Sequence, residues 1–385
     1  MVLDEFTMVG QTTFNIIDKR LHQIMCIYEP FGGVVVVMFG DPAQFPPVGA
    51  NSLWIDICNK PDDIQGYCLY RLFTDCILLT ETNRLDRNDP NYEAFESILH
   101  RLRDGLNTEE DWNLIREKCS YFSMGREKWI ERGFDDKNVV HMERLKSQVL
   151  AHNKHIILQV GNPIALIESE NTEKAATMRD DHFNGLDSSV YLCRESKIML
   201  TRNYLSAGLS NGSVGLAKEF IYDSDKSPPH LPHFIFVDFG AEYKGKSFFP
   251  NDISRKGWFP IFPVTNKAYS TTKRGEKGFG DKGFTEHSRT MLPIKLCWAW
   301  TVWKVQGMTI TDKAVVRLTD YEPEHGYSYV AFSRLTRLTD IGLEDGITKN
   351  RLCSSIRKHS KMKRRIEEEK RLKIMSENTI KTYLS

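Results

Sequence analysis

The sequence predicts an α/β fold built on parallel sheets, and three observations carry that prediction. Residues 33–40 (Gly-Val-Val-Val-Val-Met-Phe-Gly) form a continuous apolar run that ends in Gly-Asp-Pro, as suits a central parallel strand covered by helices on both faces. Similar short runs recur at 76–79, 139–142, 197–200, 314–318 and 329–332. Helical patterns separate several of them, and strand-helix alternation argues for βαβ units.

Taken in order, the apolar residues Val2 and Leu3 make a first short strand, and Val34 to Phe39 a second. Phe95, Ile98, Leu99 and Leu102 share one face of a helix over 92–103, and a second helical pattern covers 143–157. The segments 223–233 and 268–290, rich in Pro, Ser, Gly and Lys, read as loops around short β-type runs, so 205–290 reads as a small β insertion. The stretch 351–373 carries ten Lys and Arg and three Glu, which predicts a solvated helix. Its charge adds a basic face able to meet nucleic acid.

The 385 residues contain 52 Lys and Arg against 51 Asp and Glu, a formal net charge of +1, with 41% hydrophobic residues. That balance excludes a disordered acidic or basic chain and a binder driven by bulk charge. The length predicts two or three domains. Eight cysteines, at 26, 58, 68, 76, 119, 193, 297 and 353, contain no C-x-x-C pair and read as reduced thiols. No apolar run approaches the roughly 20 residues of a membrane span, so a reducing compartment, nucleus or cytosol, is expected.

Asp4 and Glu5 follow the first apolar strand at once. An acidic pair at a strand end matches a Walker B site, where the Asp holds Mg²⁺ and the adjacent carboxylate orients the attacking water. The second strand ends in Asp41-Pro42-Ala43-Gln44. Ligands of open α/β sheets bind beyond the carboxyl ends of strands, so Asp4, Glu5, Asp41 and Gln44 are expected to converge on one crevice.

At these residues the chain resembles a known family. Residues 4–8 and 40–48 look like motifs II and III of the petite-integration-frequency (PIF-one) DNA helicases, RecD-like members of superfamily one. Residues 79–85 resemble motif IV, 102–105 the helix after it, 199–203 with 208–215 the entry to the barrel insertion, 301–309 motif V and 329–334 motif VI. The resemblance implies two RecA-like parallel-sheet domains, the first incomplete, with a small β-barrel insertion in the second. The expected boundaries are 1–125 for the first domain, 126–204 and 291–350 for the second, 205–290 for the insertion and 351–385 for the tail.

The resemblance also implies roles for single residues. Glu5 and Gln44 serve catalysis, with Arg84 and Arg334 as arginine fingers on the γ-phosphate. Asp4, Asp41, Gln306 and Gly307 belong to the nucleotide site, Asp4 as the magnesium ligand. Phe45, Pro46, Thr301 and Lys304 are the expected DNA contacts, hydroxyls such as that of Thr301 being common partners of the nucleic-acid backbone. Alternating Trp298, Trp300 and Trp303 are aromatic candidates for base stacking, and burial is the better reading for Trp298 and Trp300. The family's His-Lys-Ser-Gln-Gly is Trp303-Lys304-Val305-Gln306-Gly307 here, which loses an imidazole and a hydroxyl.

The implied function is an ATP-dependent 5′–3′ DNA helicase using ATP and magnesium, acting on single-stranded DNA and duplex junctions in repair, recombination or telomere maintenance. The nucleus is the expected location, with mitochondrion or cytoplasm as alternatives. The family's phosphate-binding loop precedes motif II, so the chain reads as an N-terminally truncated portion whose unprotected sheet edge predicts poor solubility. Residues 240–247 fit G-x-x-x-x-G-K-[ST] after an apolar strand, but residues 248–252 read as strand and turn, whereas a working loop opens a helix. The alternative function is an inactive helicase relic that binds DNA or protein. A GTPase built on residues 240–247 is the least favoured reading, because the segment after them opens no helix.

Overall fold

The computed structural model describes residues 1–57, 60–271 and 284–383. Cα packing divides the chain into two compact units, Met1–Lys146 with Trp300–Ser385, and Ser147–Ala299.

The first unit opens with β1 (Val2–Leu3), α1 (Gln11–Met25) and β2 (Val37–Met38). β1 and β2 pair in parallel, Val2 opposite Val37 and Leu3 opposite Met38. The apolar run is therefore strand only at its end, and it is covered on one face. Leu3, Val36 and Met38 join a core of Phe6, Phe14, Phe31, Leu53, Leu69 and Tyr70, while Val35 on the other face is 79% exposed. α2 (Pro61–Arg71) lies so close to α1 that a Cβ on Gly66 would stand 2.1 Å from the Gln11 carbonyl oxygen. Asn15 and Lys19 donate to Asp62 across this contact, at 2.7 and 2.8 Å.

The expected strand at 76–79 is absent. Its backbone is instead tied at Cys76 and Leu78 to the hydroxyls of Thr379 and Ser376. α3 (Tyr92–Asp104) buries Phe95, Ile98, Leu99 and Leu102 as its periodicity predicts. α4 (Glu109–Cys119) begins with a capping box of Thr108 and Asp111, and Arg101 grips Asp111 with two hydrogen bonds of 2.7 and 2.6 Å. α5 (Tyr121–Glu131) then leads to β3 (Val140–Glu143).

The second unit is mostly antiparallel. After α6 (Lys146–Gln159) come β4 (Ala165–Glu168), β5 (Glu170–Asn171), β6 (Ser189–Leu192), β7 (Lys197–Leu200) and β8 (Val214–Ile221). β9 (Phe234–Asp238), β10 (Trp258–Ile261), β11 (Val264–Thr271), β12 (Phe284–Met291) and β13 (Ile294–Leu296) complete it. Five strands form a sheet of order β10-β9-β8-β7-β13. The strand at Lys197–Leu200 thus pairs antiparallel to β8 and β13, which corrects its expected place in a parallel sheet. The β unit is wider than the expected insertion at 205–290. Among the described residues its strand pairing is that of open sheets rather than a closed barrel. Much of the expected loop at 268–290 is hairpin, because β11 and β12 pair over their full lengths; 272–283 lie outside the described residues. Buried Arg289 organises this unit, bonding Asp180, Asn171 and the carbonyls of Ala175, Met178 and Leu186.

The chain returns to the first unit through β14 (Ala299–Thr301), β15 (Ala314–Val316), α7 (Tyr327–Phe332), β16 (Ile341–Gly342) and α8 (Met362–Tyr383). β15 pairs in parallel with β3 and with β16, giving a second parallel sheet. The run at 329–332, read as strand, is helix α7. Its apolar residues suit either state over so short a window, and Gly326 at φ 80° starts the turn. α8 extends ten residues beyond the predicted helix, and it is half-buried rather than fully solvated, with Met362, Arg365, Glu368, Ser376 and Thr379 inside. Seven cysteines are free thiols, and Cys58 lies outside the described residues.

Candidate active site

The parallel register of β1 and β2 brings the loops at their carboxyl ends to one edge of the first sheet. Phe39 N–H donates to the Leu3 carbonyl at 2.8 Å, and Phe6 N–H to the Phe39 carbonyl at 3.0 Å. Asp4 is exposed at this end, its Oδ1 accepting the Glu5 N–H at 2.9 Å. Glu5 sits in the left-handed region, φ 50° and ψ 45°. That conformation is costly for a residue with a Cβ and clusters at functional sites.

Glu5 is engaged from the far end of the sequence. Gln306 Nε2 donates to Glu5 Oε2 at 2.7 Å, and Glu5 Oε1 lies 3.5 Å from where a Cβ on Gly307 would stand. Gly307 has φ 77°, so glycine serves both the turn and the close approach. Arg84 donates through Nη1 to the Ser333 carbonyl at 2.8 Å and through Nε to Thr309 Oγ1 at 3.1 Å. Arg334 is 1% exposed, held by the carbonyls of Val330 and Met308 and by the Ser333 hydroxyl.

The two guanidiniums sense each other and Glu5. Burial, then the neighbouring Arg84 charge, lowers Arg334 to about 10, while Tyr329, Glu5 and Asp41 oppose the shift. Burial also lowers Arg84, against the pull of Tyr329 and Glu5. Both remain cationic at neutral pH. Desolvated cations beside a carboxylate are suited to stabilising charge that develops on a transferred phosphoryl group.

Asp41 departs from its expected role. Its Oδ1 accepts Arg103 Nη2 at 2.7 Å and the Ala43 N–H at 3.0 Å, and its Oδ2 accepts the Tyr329 hydroxyl at 3.0 Å. Burial pushes this carboxyl up, but the Arg103 guanidinium and these hydrogen bonds outweigh it and hold it below its ordinary value. Asp41 is therefore a structural hub. Arg103 also reaches Glu369 of α8, whose other oxygen takes Arg365 at 2.5 Å. Sequence reasoning missed Arg103, Tyr329 and Glu369 in this role, although the first two lie within segments that resemble family motifs.

Phe45 is also corrected. It is fully buried, stacked on Trp303 at 5.4 Å and 14° and edge-on to Tyr327 at 6.4 Å. Its ring binds the loop after β2 to the motif V turn, and so offers no open face to a base. The Trp303 that replaces the family's imidazole fills that contact. Pro46 is buried, Thr301 is half-buried where the turn Val302–Val305 begins, and Lys304 is exposed. Trp298 and Trp300 are buried. At 240–247 the backbone forms only a short 3₁₀ turn, Gly240–Glu242, with no helix after it, so no helix amides gather there for a phosphate.

The PIF1-like helicase family model matches residues 1–113. The chain is 24% identical over 347 residues to the ATP-dependent DNA helicase PIF1 of Danio rerio, covering 90% of this chain and 46% of that protein. The likeness to PIF1 helicases thus extends along most of the chain at low identity. The chain is also 25% identical over 363 residues to the ATP-dependent DNA helicase PIF6 of Trypanosoma brucei brucei, covering 89% of this chain and 40% of the relative. It thus spans about half the length of the curated relatives it matches. Among solved structures, the Pif1 helicase of Candida albicans superimposes with a TM-score of 0.67 at 20% identity, covering 96% of this chain and 76% of that one. The Bacteroides Pif1 helicase in complex with ADP-AlF3 and ssDNA gives 0.65 at 22%, covering 97% and 75%. These likenesses establish the α/β fold with its parallel sheets.

In the PIF1-type helicases that the chain resembles, a nucleotide and a metal ion are implied, and the residues present here fit the hydrolytic half of such a site. Exposed Asp4 is a hard oxygen ligand suited to Mg²⁺. The Oε1 atoms of Gln44 and Gln306 are buried acceptors with no hydrogen-bond partner in the structure. Such atoms call for a donor, and a water held between them and a bound nucleotide would supply one.

Proposed function

We propose that this chain carries the hydrolytic and coupling elements of an ATP-dependent 5′–3′ DNA helicase of the PIF1 type. One observation carries the reading: Glu5, placed by the first sheet, is hydrogen-bonded to Gln306 of motif V and shares its electrostatic surroundings with Arg84 and Arg334.

In this reading Glu5 orients and deprotonates the attacking water, and the Gln44 amide holds that water or the terminal phosphate. Arg84 and Arg334 neutralise charge building on the transferred phosphoryl group. Asp4 would hold Mg²⁺, which when bound would add charge neutralisation. Gln306 couples the chemistry to DNA, because it lies two residues beyond Lys304 and five beyond Thr301, the proposed backbone contacts. A strand gripped at those residues moves the motif V turn, and with it the hydrogen bond on Glu5. Among the relatives' structures, the Bacteroides Pif1 helicase was solved with ADP-AlF3 and ssDNA, which supports both ligands here. The two parallel sheets are proposed as the RecA-like halves, and DNA as substrate favours the nucleus. Among the described residues no helix is long and apolar enough to cross a membrane.

ATPase activity of the protein, measured with and without single-stranded DNA, tests the reading. Glu5→Gln should abolish the DNA-stimulated rate. Forked substrates with a 5′ or a 3′ tail test direction, and unwinding is expected only from the 5′ tail. A second reading, a relic that binds DNA without hydrolysis, is supported by the turn at 240–247, which offers no phosphate cradle. DNA binding with no stimulated hydrolysis is its expected result.

A further inference from the structure

A cavity of about 360 Å³ lies in the first unit, between the loop after β2, the segment 50–55, His325 and the start of α8. Its volume falls within the range of small-molecule sites. Its apolar wall includes Pro46 and Trp54, and its polar wall includes His325, Lys361, Arg364 and Arg365. Among the described residues no Asp or Glu lines it, although the chain as a whole is electrically balanced.

Two groups in this wall are buried without satisfaction. His325 is 3% exposed, and neither ring nitrogen has a hydrogen-bond partner. Arg365 is 1% exposed and its Nε–H has no acceptor, although its terminal nitrogens bond Asp104 and Glu369. Buried polar atoms are normally satisfied. An imidazole offers a donor and an acceptor together as long as it is neutral. Burial and the charges of Arg365, His359 and Lys361 keep it neutral by pushing its pKa down to about 3.

The cations of the wall differ in availability. Lys361 is bonded to Glu324 at 2.8 Å, and Arg365 is paired with Asp104 and Glu369. Arg364 makes no ion pair or hydrogen bond among the described residues. An unpaired guanidinium beside donors, with no carboxylate in the wall, selects an oxyanion, and phosphate suits its fork. The half-buried Trp54 indole and the Pro46 ring offer flat apolar surface for a planar group.

We propose that this cavity binds one nucleotide unit, its phosphate on Arg364 and its base against Trp54. The unit comes either from a free nucleotide or from a nucleic-acid strand. The adjoining cavity of about 420 Å³ shares Trp54 and Arg364, but mixes Asp56, Glu367 and Glu368 with Arg71, Lys363 and Arg371, so its cations have carboxylates beside them and the first cavity is the better oxyanion site. The strand source rests on the proposed DNA-binding function; the free-nucleotide source does not.

Calorimetric titration of the 385-residue chain in EDTA, which removes metal-dependent binding at Asp4, tests this. The probes are thymidine monophosphate, inorganic phosphate and a ten-residue oligo-dT. Arg364→Ala, an unpaired and half-exposed position, should weaken binding at least tenfold while the melting temperature stays that of the parent chain. Trp54→Ala should weaken the nucleotide and spare phosphate. Glu5→Gln should bind as the parent does, which separates the cavity from the hydrolytic site. Monophosphate binding that phosphate competes away assigns a free nucleotide; oligo-dT binding alone, lost in Arg364→Ala, assigns a strand. The proposal is overturned if no probe binds, if Arg364→Ala binds all probes normally, or if Glu5→Gln abolishes binding.

Discussion

Glu5 combines a left-handed backbone with a hydrogen bond from Gln306, so its carboxylate is oriented from two separate stretches of chain. Removing the amide in Gln306→Ala should leave the fold intact and lower kcat of the DNA-stimulated ATPase by about 10- to 100-fold, the range expected when a catalytic group loses its orienting partner. Steady-state kinetics with KM little changed would distinguish lost orientation from lost binding. Asp41 makes a different prediction. Its carboxyl is held below its ordinary value, so it contributes stability above the unfolded-state pKa, about 4, and that contribution is lost as pH falls through the lower folded value. Asp41→Asn should cost about 1–2 kcal/mol at pH 7, since Arg103 loses one carboxylate partner in a partly buried site while keeping Glu369. The difference from the parent protein should shrink toward pH 3, as denaturant unfolding at both pH values will show. The catalytic candidates were legible because each stands in a motif-like segment. The role of Asp41 was not, because nothing local in the sequence reveals that Arg103, 62 residues away, and Tyr329, 288 residues away, take both its oxygens.

At the scale of elements, α7 and the loop after β2 meet through a glycine. A Cβ on Gly326 would lie 2.3 Å from the Ala43 carbonyl oxygen, and the backbone there has φ 80°. Gly326→Ala should therefore push the loop that carries Gln44 away from α7, with a cost of about 2–4 kcal/mol from strain and clash together. Differential scanning calorimetry should record a lower Tm, together with a loss of ATPase. α8 is the second such element. It ties down Cys76 and Leu78 through Thr379 and Ser376, and it accepts the Tyr70 hydroxyl on Glu368 at 2.7 Å. Those ties take the Cys76 and Leu78 N–H groups of the apolar run at 76–79, strand-like by composition, so these two are satisfied by side chains rather than by a ladder. Helices with a clear apolar stripe, α3 above all, were legible from the sequence. The short runs at 197–200 and 329–332 were misplaced because four residues do not distinguish a parallel strand from an antiparallel one or from helix.

For the molecule as a whole, the charge balance hides local asymmetry: the wall around Arg364 is cationic and the adjoining cavity mixed. The outer face of the first sheet exposes Val2, Val35, Val37 and Phe39. Apolar surface on a short open sheet invites association, so the 385-residue chain should elute from a sizing column in concentration-dependent assemblies, and Val35→Lys should shift it toward monomer. The parallel-sheet class was legible because β-branched runs alternate with helices. The extent of the β unit was not, because pairing partners such as β7 and β13 lie about 100 residues apart.

The central claim is that Glu5, Gln306, Arg84 and Arg334 act together as the hydrolytic half of a DNA-driven ATPase. The most direct measurement is phosphate release by the protein at saturating single-stranded DNA, compared with its Glu5→Gln variant. The account predicts DNA-stimulated release in the parent and a drop to the DNA-free background in the variant. Equal rates in the two proteins, or no stimulation by DNA in either, would contradict it.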